Sequence, residues 1–307
     1  MTSPVFRLAI IYYICLCIQI LAICPCALPE RPFVVIVPSF NNKSWYKKNL
    51  DSIWSQQYHN FRVLYVDDSS IDGTADLVSE YIDSHPAHFP VVLIRNSERI
   101  GPLANTYYTV HTCADYEIIL VCDGDDFLEN PHVLSTLNQA YKLRPDLMLT
   151  YGHFINYVNP QVGNQWSKRY SKAVEQYNQY RQSVWVAGQP RSFYAGLFKK
   201  IKKKDFMRGD DFLEGCTDVA TMIPMLEMSG GRYECLSDVI YIYNNANRMS
   251  ERFIRPDDTK KNIAYLRALP SYFALTDEQM CNIIHAPACS KKWHNKPYYG
   301  DAADHYA

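Results

Sequence analysis

Acidic side chains stand directly after apolar runs at two places in this chain. Glu117-Ile118-Ile119-Leu120-Val121-Cys122 leads into Asp123-Gly124-Asp125-Asp126, and Phe61-Arg62-Val63-Leu64-Tyr65-Val66 leads into Asp67-Asp68. Carboxylates this close repel one another and resist burial unless a cation or hydrogen bonds compensate. Hard oxygen donors of this kind suit Mg²⁺ or Mn²⁺, ions that take one or two protein carboxylates and complete their shell with phosphate oxygens. The competing reading is a solvated acidic turn that caps the following helix. Carboxylates anchored at the ends of two apolar runs favour the cation.

Other motifs fit less well. An EF-hand loop starting at Asp123 needs an oxygen ligand at its fifth position and Gly at its sixth, where the chain has Phe127 and Leu128. An aspartyl-nucleophile phosphatase also carries Asp-x-Asp after an apolar strand, but usually the first strand, with Thr or Val two residues later. Here the motif follows the fourth run and Phe127 holds that place. A GxGxxG dinucleotide fingerprint is missing from Pro38-Ser39-Phe40-Asn41-Asn42, which ends the first run.

The runs that carry these residues alternate with helical patterns. Strands are expected at 33–37, 61–66, 91–94 and 117–122, with a fifth starting at 147–151. Helices are expected at 44–57, through Ala75 to Ile82, after Gly101, and at 131–143. Residues 159–189 are polar and weakly periodic and read as a long excursion over a cleft. Helical regions follow at 191–204 and 218–228, and strand-like 239–243 closes the domain. This alternation predicts an α/β domain around a doubly wound, mostly parallel sheet, Rossmann-like, flanked by helices. Its ligands belong beyond the carboxyl ends of the strands, where the acidic residues stand. The expected domains are 1–29 as a targeting segment, 30–255 as the α/β domain, and 256–307 as a helical C-terminal extension and tail.

Composition bounds the partners. The 307 residues are 48% hydrophobic and 21% charged, which supplies a sizeable core. With 31 Lys and Arg against 32 Asp and Glu, a net charge of −1 argues against nucleic acid as a partner. The run 8–24, LAIIYYICLCIQILAIC, has Gln19 as its only strongly polar member, follows Arg7, and precedes the first acidic residue, Glu30. At 1.5 Å per residue such a helix reaches about 25 Å, against a hydrocarbon core of about 30 Å. Two readings stand: a signal peptide cleaved near residues 24–27, or an uncleaved membrane anchor. Either takes the chain to a membrane or into an export pathway. Outside this segment are Cys113, Cys122, Cys216, Cys235, Cys281 and Cys289, none in a CxxC pair, so a zinc site is not indicated. Cys281 and Cys289 are spaced to close a disulfide loop if the body is exported, and are thiols if it is not. His153, His285 and His294 have no partner at metal-ligand spacing and read as structural.

The order VIVPSFNN, VLYVDDSSIDGT, GPLAN and IILVCDGDDFL resembles the family-two glycosyltransferases, inverting enzymes of the GT-A fold, over roughly residues 32–250. The resemblance implies that Phe40 lies by the donor's nucleobase, that Asp68 bonds the base, and that Pro38 and Ser39 belong to the same nucleotide-sugar site. It implies further that Asp67, Asn105 and Gly124 help bind the nucleotide sugar, with Arg191 a phosphate or acceptor contact. Asp123 and Asp125 become the ligands of an Mn²⁺ or Mg²⁺ ion that bridges the donor diphosphate, with Asp126 in support. The family places its catalytic base before a downstream helix, commonly as Glu-Asp. The matching stretch here is Gly215-Cys216-Thr217-Asp218, so Asp218 is the candidate base, with Thr217 in place of Glu and Asp210, Asp211 and Glu214 in reserve. In Tyr243–Ser250, Ala246 or Asn247 falls where many relatives carry a histidine near the metal. The lysines at 199, 200 and 202–204 read as a solvated helix face or a basic rim of the cleft.

The implied reaction moves a sugar from a nucleotide-diphosphate sugar, a UDP-sugar by preference, to a hydroxyl on a glycan, lipid or protein. Two other readings stay open: a catalytically silent nucleotide-sugar or glycan-binding protein, and an aspartate-based phosphoryl-transfer enzyme.

Overall fold

Strand β1 (Phe33–Ser39) is buried along its whole length, as a continuous apolar run must be when both faces of a parallel sheet are covered. After it come α1 (Tyr46–Trp54), β2 (Phe61–Asp67), α2 (Thr74–Ser84), β3 (Val91–Arg95), α3 (Pro102–His111) and β4 (Ile118–Val121). The computed structural model describes residues 30–160, 166–249 and 256–285. β1 pairs in parallel with β2 on one side and β4 on the other, and β2 pairs in parallel with β3. The chain therefore winds outward through β2 and β3, then crosses back to the far side of β1. That reversal opens a crevice at the carboxyl ends of β1 and β4. Ser39 is level with Asp67 in the β1–β2 register, so the polar residues after these strands end on one rim.

The second half completes an eight-stranded sheet in the order β3-β2-β1-β4-β7-β6-β10-β5. Its elements are β5 (Phe127–Leu128), α4 (Val133–Leu143), β6 (Leu149–Asn156), α5 (Lys172–Gln176), β7 (Arg191–Tyr194) and α6 (Ala195–Phe198). A small ribbon of β8 (Met207–Arg208) and β9 (Asp211–Phe212) follows, then α7 (Thr217–Ser229) and β10 (Tyr233–Tyr243). β6 and β10 run parallel, while β7 lies antiparallel between β4 and β6 and β5 pairs antiparallel with β10. The sheet is thus mostly parallel and helix-flanked, as the alternation predicts.

The helix expected over 191–204 is not formed. Residues 191–194 are the strand β7, only 195–198 make a turn of α-helix, and a 3-10 turn spans Lys203–Phe206. Phe193, Leu197 and Phe198 mimic helical spacing, but Phe193 and Tyr194 are buried by pairing with β4, and Ser192 bonds Tyr141 and Thr150. Pairing with two neighbours outweighs a weak local preference. The lysines after β7 consequently form no single helix face: Lys199 pairs with Asp115 at 2.8 Å, and Lys203 lies over the Tyr107, Tyr108 and Phe212 rings.

Beyond β10, α8 (Pro256–Ala268) packs on α7 and α9 (Asp277–Ile284) packs on α6. The apolar run 8–24, Cys289 and His294 lie outside the described residues. Among the described residues no helix is long and apolar enough to cross a membrane, and Cys281 is an exposed free thiol.

Candidate active site

The acidic turn after β4 is fixed from two directions. Asn49 on α1 donates its amide to the carbonyls of Asp123 (3.0 Å) and Asp126 (2.8 Å). Asp126 is buried, and its carboxylate accepts from Tyr241 Oη and from the Asn244 amide, each at 2.7 Å. Burial first, then the neighbouring charges of Asp125 and Asp123, holds the Asp126 carboxyl well above the usual carboxylate range. Asp126 therefore ties the turn to the end of β10, its two oxygens taken up by these bonds at the floor of the crevice. Gly124 sets the approach of β4 to β1: a Cβ there would lie 2.7 Å from the Ser39 side chain and 2.8 Å from Asn42 Nδ2. Asp123 and Asp125 are left facing the crevice, where Asn247 Nδ2 donates to Asp125 Oδ2 at 2.7 Å.

Across the rim, Asp68 is buried at the end of β2. Its Oδ1 accepts from Asn96 Nδ2 and Ile100 N, and its Oδ2 from Gly101 N, each at 2.9 Å. Gly101 has φ of +86°, a backbone region that glycine enters without steric cost, so the loop can turn its amide onto the carboxylate. Arg99, in the same loop, lays its guanidinium 4.2 Å from the Phe40 ring centre and 4.0 Å from Asp68 Oδ2. Asn105 Oδ1 accepts from Asn96 at 2.7 Å, while its buried Nδ2 has no partner among the described residues.

The third wall comes from β7 and the start of α7. Arg191 lies 3.3 Å from Asp218 Oδ2 and donates from Nε to Ala187 O at 3.1 Å. Asp218 Oδ1 accepts from Val219 N at 2.8 Å, which fixes the carboxylate in the first turn of its helix, where the macrodipole favours negative charge.

These walls enclose one cavity of about 500 Å³, a size typical of small-molecule sites. Pro38, Ser39, Phe40, Asp68, Asn105, Asp123, Asp125, Arg191 and Asp218 all line it. Asp67 and Gly124 do not: Asp67 accepts from Ser70 N and shapes its own turn, and Gly124 gives the clearance described above. Asp210, Asp211 and Glu214 are also outside the lining. The lining further includes Arg99, Trp185, Gln189 and Tyr243, which no motif marks as ligands. The one signal for Arg99 is its position just before the Ile100-Gly101 amides that hold Asp68.

A divalent cation fits the donor set. Asp123 and Asp125 offer hard oxygens beside an amide that orients one of them. Among the described residues no group of three or more His, Cys, Asp or Glu is placed to hold a metal by itself. The arrangement therefore suits an ion that completes its shell with ligand phosphates. Asn247, beside these carboxylates, donates a hydrogen bond to Asp125.

The model of the family "Glycosyl transferase family 2" matches residues 34–204, more than half of the chain. An uncharacterized glycosyltransferase of Haemophilus influenzae is 26% identical over 120 residues, which are 39% of this chain and 46% of that protein. The chain thus matches less than half the length of this curated relative. Among solved structures, S. aureus TarS 1-349 in complex with UDP-GlcNAc superposes with a TM-score of 0.59 at 18% identity, covering 82% of this chain and 70% of that 1-349 chain. The mannosyltransferase PcManGT from Pyrobaculum calidifontis, in complex with GDP-Man and Mn²⁺, gives 0.54 at 18% identity, covering 85% and 70%. At these identities the structural likeness is one of fold.

Proposed function

The chain belongs to glycosyl transferase family 2, and on that premise we propose that it transfers a sugar, with inversion, from a nucleotide-diphosphate sugar to an acceptor hydroxyl. A UDP-sugar is the favoured donor and a divalent ion the cofactor. The observation that carries this reading is that Asp68, Asp125 and Asp218, from three separate strand or helix ends, line one cavity roomy enough for a diphosphate.

In this reading the nucleobase lies against Phe40, with Arg99 displaced from the ring or closing over it. Asp68 is held as an acceptor by the Ile100 and Gly101 amides and takes a base N–H. Asn105 Nδ2, without a partner among the described residues, is a donor for the nucleotide. Bound by Asp123 and Asp125, Mn²⁺ or Mg²⁺ would neutralise charge on the leaving diphosphate. Asp218 takes the proton of the acceptor hydroxyl on the opposite face of the sugar, a task worth typically 10²–10⁴-fold. Arg191 orients Asp218 through their 3.3 Å contact. Thr217, where relatives carry Glu, leaves Asp218 as the lone carboxylate of that pair.

The test is thermal stabilisation by a panel of nucleotides with and without Mn²⁺, together with sugar release and transfer. Nucleotide at about 100 times its Kd should add about 2.7 kcal/mol, or roughly 5–10 °C in a domain of this size. UDP should give the largest shift, dependent on Mn²⁺ and lost in Asp125→Asn. Asp218→Asn should keep the shift and lose transfer by at least about 10²-fold. Stabilisation without transfer in the parent chain would instead identify a silent nucleotide-sugar binder. Phosphate-analogue labelling of Asp123 or Asp125 would identify a phosphoryl-transfer enzyme.

A further inference from the structure

Half of the cavity remains without a task once the nucleotide is assigned to Phe40, Asp68, Arg99 and Asn105. That half is the wall around Asp218, built from residues 185–191, α7 and the ends of β6 and β10. Trp185 is partly buried there, with the Arg191 guanidinium 5.9 Å from its ring centre. Phe154 and Tyr243 form a ring pair at 5.2 Å on the neighbouring strands. The backbone joins these two parts, since Gly152 N donates to Gly188 O at 3.3 Å. Gln189, 6% exposed, lines the same cavity, and its Oε1 is buried with no hydrogen-bond partner among the described residues. A buried acceptor left unmet is costly, which marks it as a place where a ligand's donor belongs.

From this juxtaposition we propose that the Asp218 wall is an acceptor subsite for a saccharide: a sugar ring packs on Trp185 while one of its hydroxyls donates to Gln189 Oε1. The inference rests on the transferase reading above, because Asp218 must reach the acceptor hydroxyl and its surroundings are therefore what the acceptor meets. Three features select a sugar. The aromatic faces need an apolar surface, which the C–H face of a pyranose supplies. Gln189 needs a donor beside that surface, and ring hydroxyls stand at its edge. Arg191 and Asp218 already balance each other's charge, so among the described residues this wall offers no free charge to recruit an anionic acceptor. An aliphatic alcohol would leave Gln189 unmet and press methylenes on the ion pair. A serine side chain would bring a hydroxyl but no surface for the rings.

The experiment uses the full chain saturated with UDP and Mn²⁺. Methyl β-glucoside, methyl α-mannoside, methyl β-N-acetylglucosaminide, 1-octanol and an N-acetyl-serine amide are each titrated by saturation-transfer-difference NMR. The UDP-dependent melting shift is read on the same samples. At least one methyl glycoside should show saturated ring protons, with its Kd raised about 5- to 10-fold in Gln189→Leu and in Trp185→Ala. If Trp185→Ala fails to fold, Trp185→Phe should give a smaller weakening and Gln189→Leu decides. The proposal is overturned if UDP binds yet no glycoside does, if octanol or the serine amide binds in their place, or if neither variant weakens glycoside binding. Absence of any nucleotide shift would instead remove the donor reading, and the acceptor reading with it.

Discussion

Asp68 directs its carboxylate to the Ile100 and Gly101 amides at the cavity wall, whereas adjacent Asp67 faces back into its own turn and accepts from Ser70 N at 2.9 Å. Burial is the main cause that raises the Asp67 carboxyl above its ordinary value of 3.8, against the lowering effect of its bonds to Ser70. The folded protein thus holds this proton more tightly than the unfolded chain. Its contribution to stability falls as pH rises from about 3.8 through the folded value. Asp67→Asn removes that dependence, so the variant should gain stability relative to the parent between pH 4 and pH 7. Urea midpoints at both pH values check the sign. At Gly124 the constraint is space. Ala would bring a Cβ to 2.7 Å from Ser39 and 2.8 Å from Asn42, and relieving that overlap should cost about 1–3 kcal/mol. Nucleotide affinity should fall with it, because Ser39 forms part of the same wall; denaturant melts and UDP titrations measure both.

At the scale of elements, α1 and β10 decide where the acidic turn sits. Asn49 is fully buried on α1 and spans the Asp123 and Asp126 carbonyls, while Tyr241 and Asn244 hold the Asp126 side chain from β10. Asn49→Leu takes the amide donor from the Asp126 carbonyl, while Asp123 O keeps its bond from Asp126 N, and should destabilise by about 1–3 kcal/mol. It should also weaken Mn²⁺-dependent nucleotide binding more than metal-free binding, which calorimetry with and without the ion resolves. β7 shows where local pattern failed. Phe193, Leu197 and Phe198 have helical spacing, and only pairing with β4 and β6 makes residues 191–194 a strand. That pairing puts Arg191 beside Asp218.

For the molecule as a whole, the segment after β10 is held by a buried ion pair. Arg181 and Glu227 meet in a two-pronged contact, Nε to Oε1 at 2.8 Å and Nη2 to Oε2 at 2.9 Å, with side-chain exposures of 2% and 0%. Arg181 also donates to Leu266 O, and Glu227 Oε2 accepts from Tyr272 N at 3.0 Å. Glu227→Gln leaves a buried guanidinium without its counter-charge and should cost about 3–5 kcal/mol. Protease cleavage between α8 and α9 should appear at lower denaturant than in the parent, as limited proteolysis would reveal. The sequence alone determined the alternation of strands and helices, the rim on which the acidic residues stand, and the family, because those features are written in local periodicity and in motifs of neighbouring residues. Only the tertiary structure decided that Gly124 supports the site from outside its lining and that Asp126 spends its oxygens on Tyr241 and Asn244. The same holds for Arg99 against Phe40 and for Gln189 and Trp185 joining Asp218. Such contacts join positions tens of residues apart, and nothing in a local pattern records which side of a sheet a returning strand will choose.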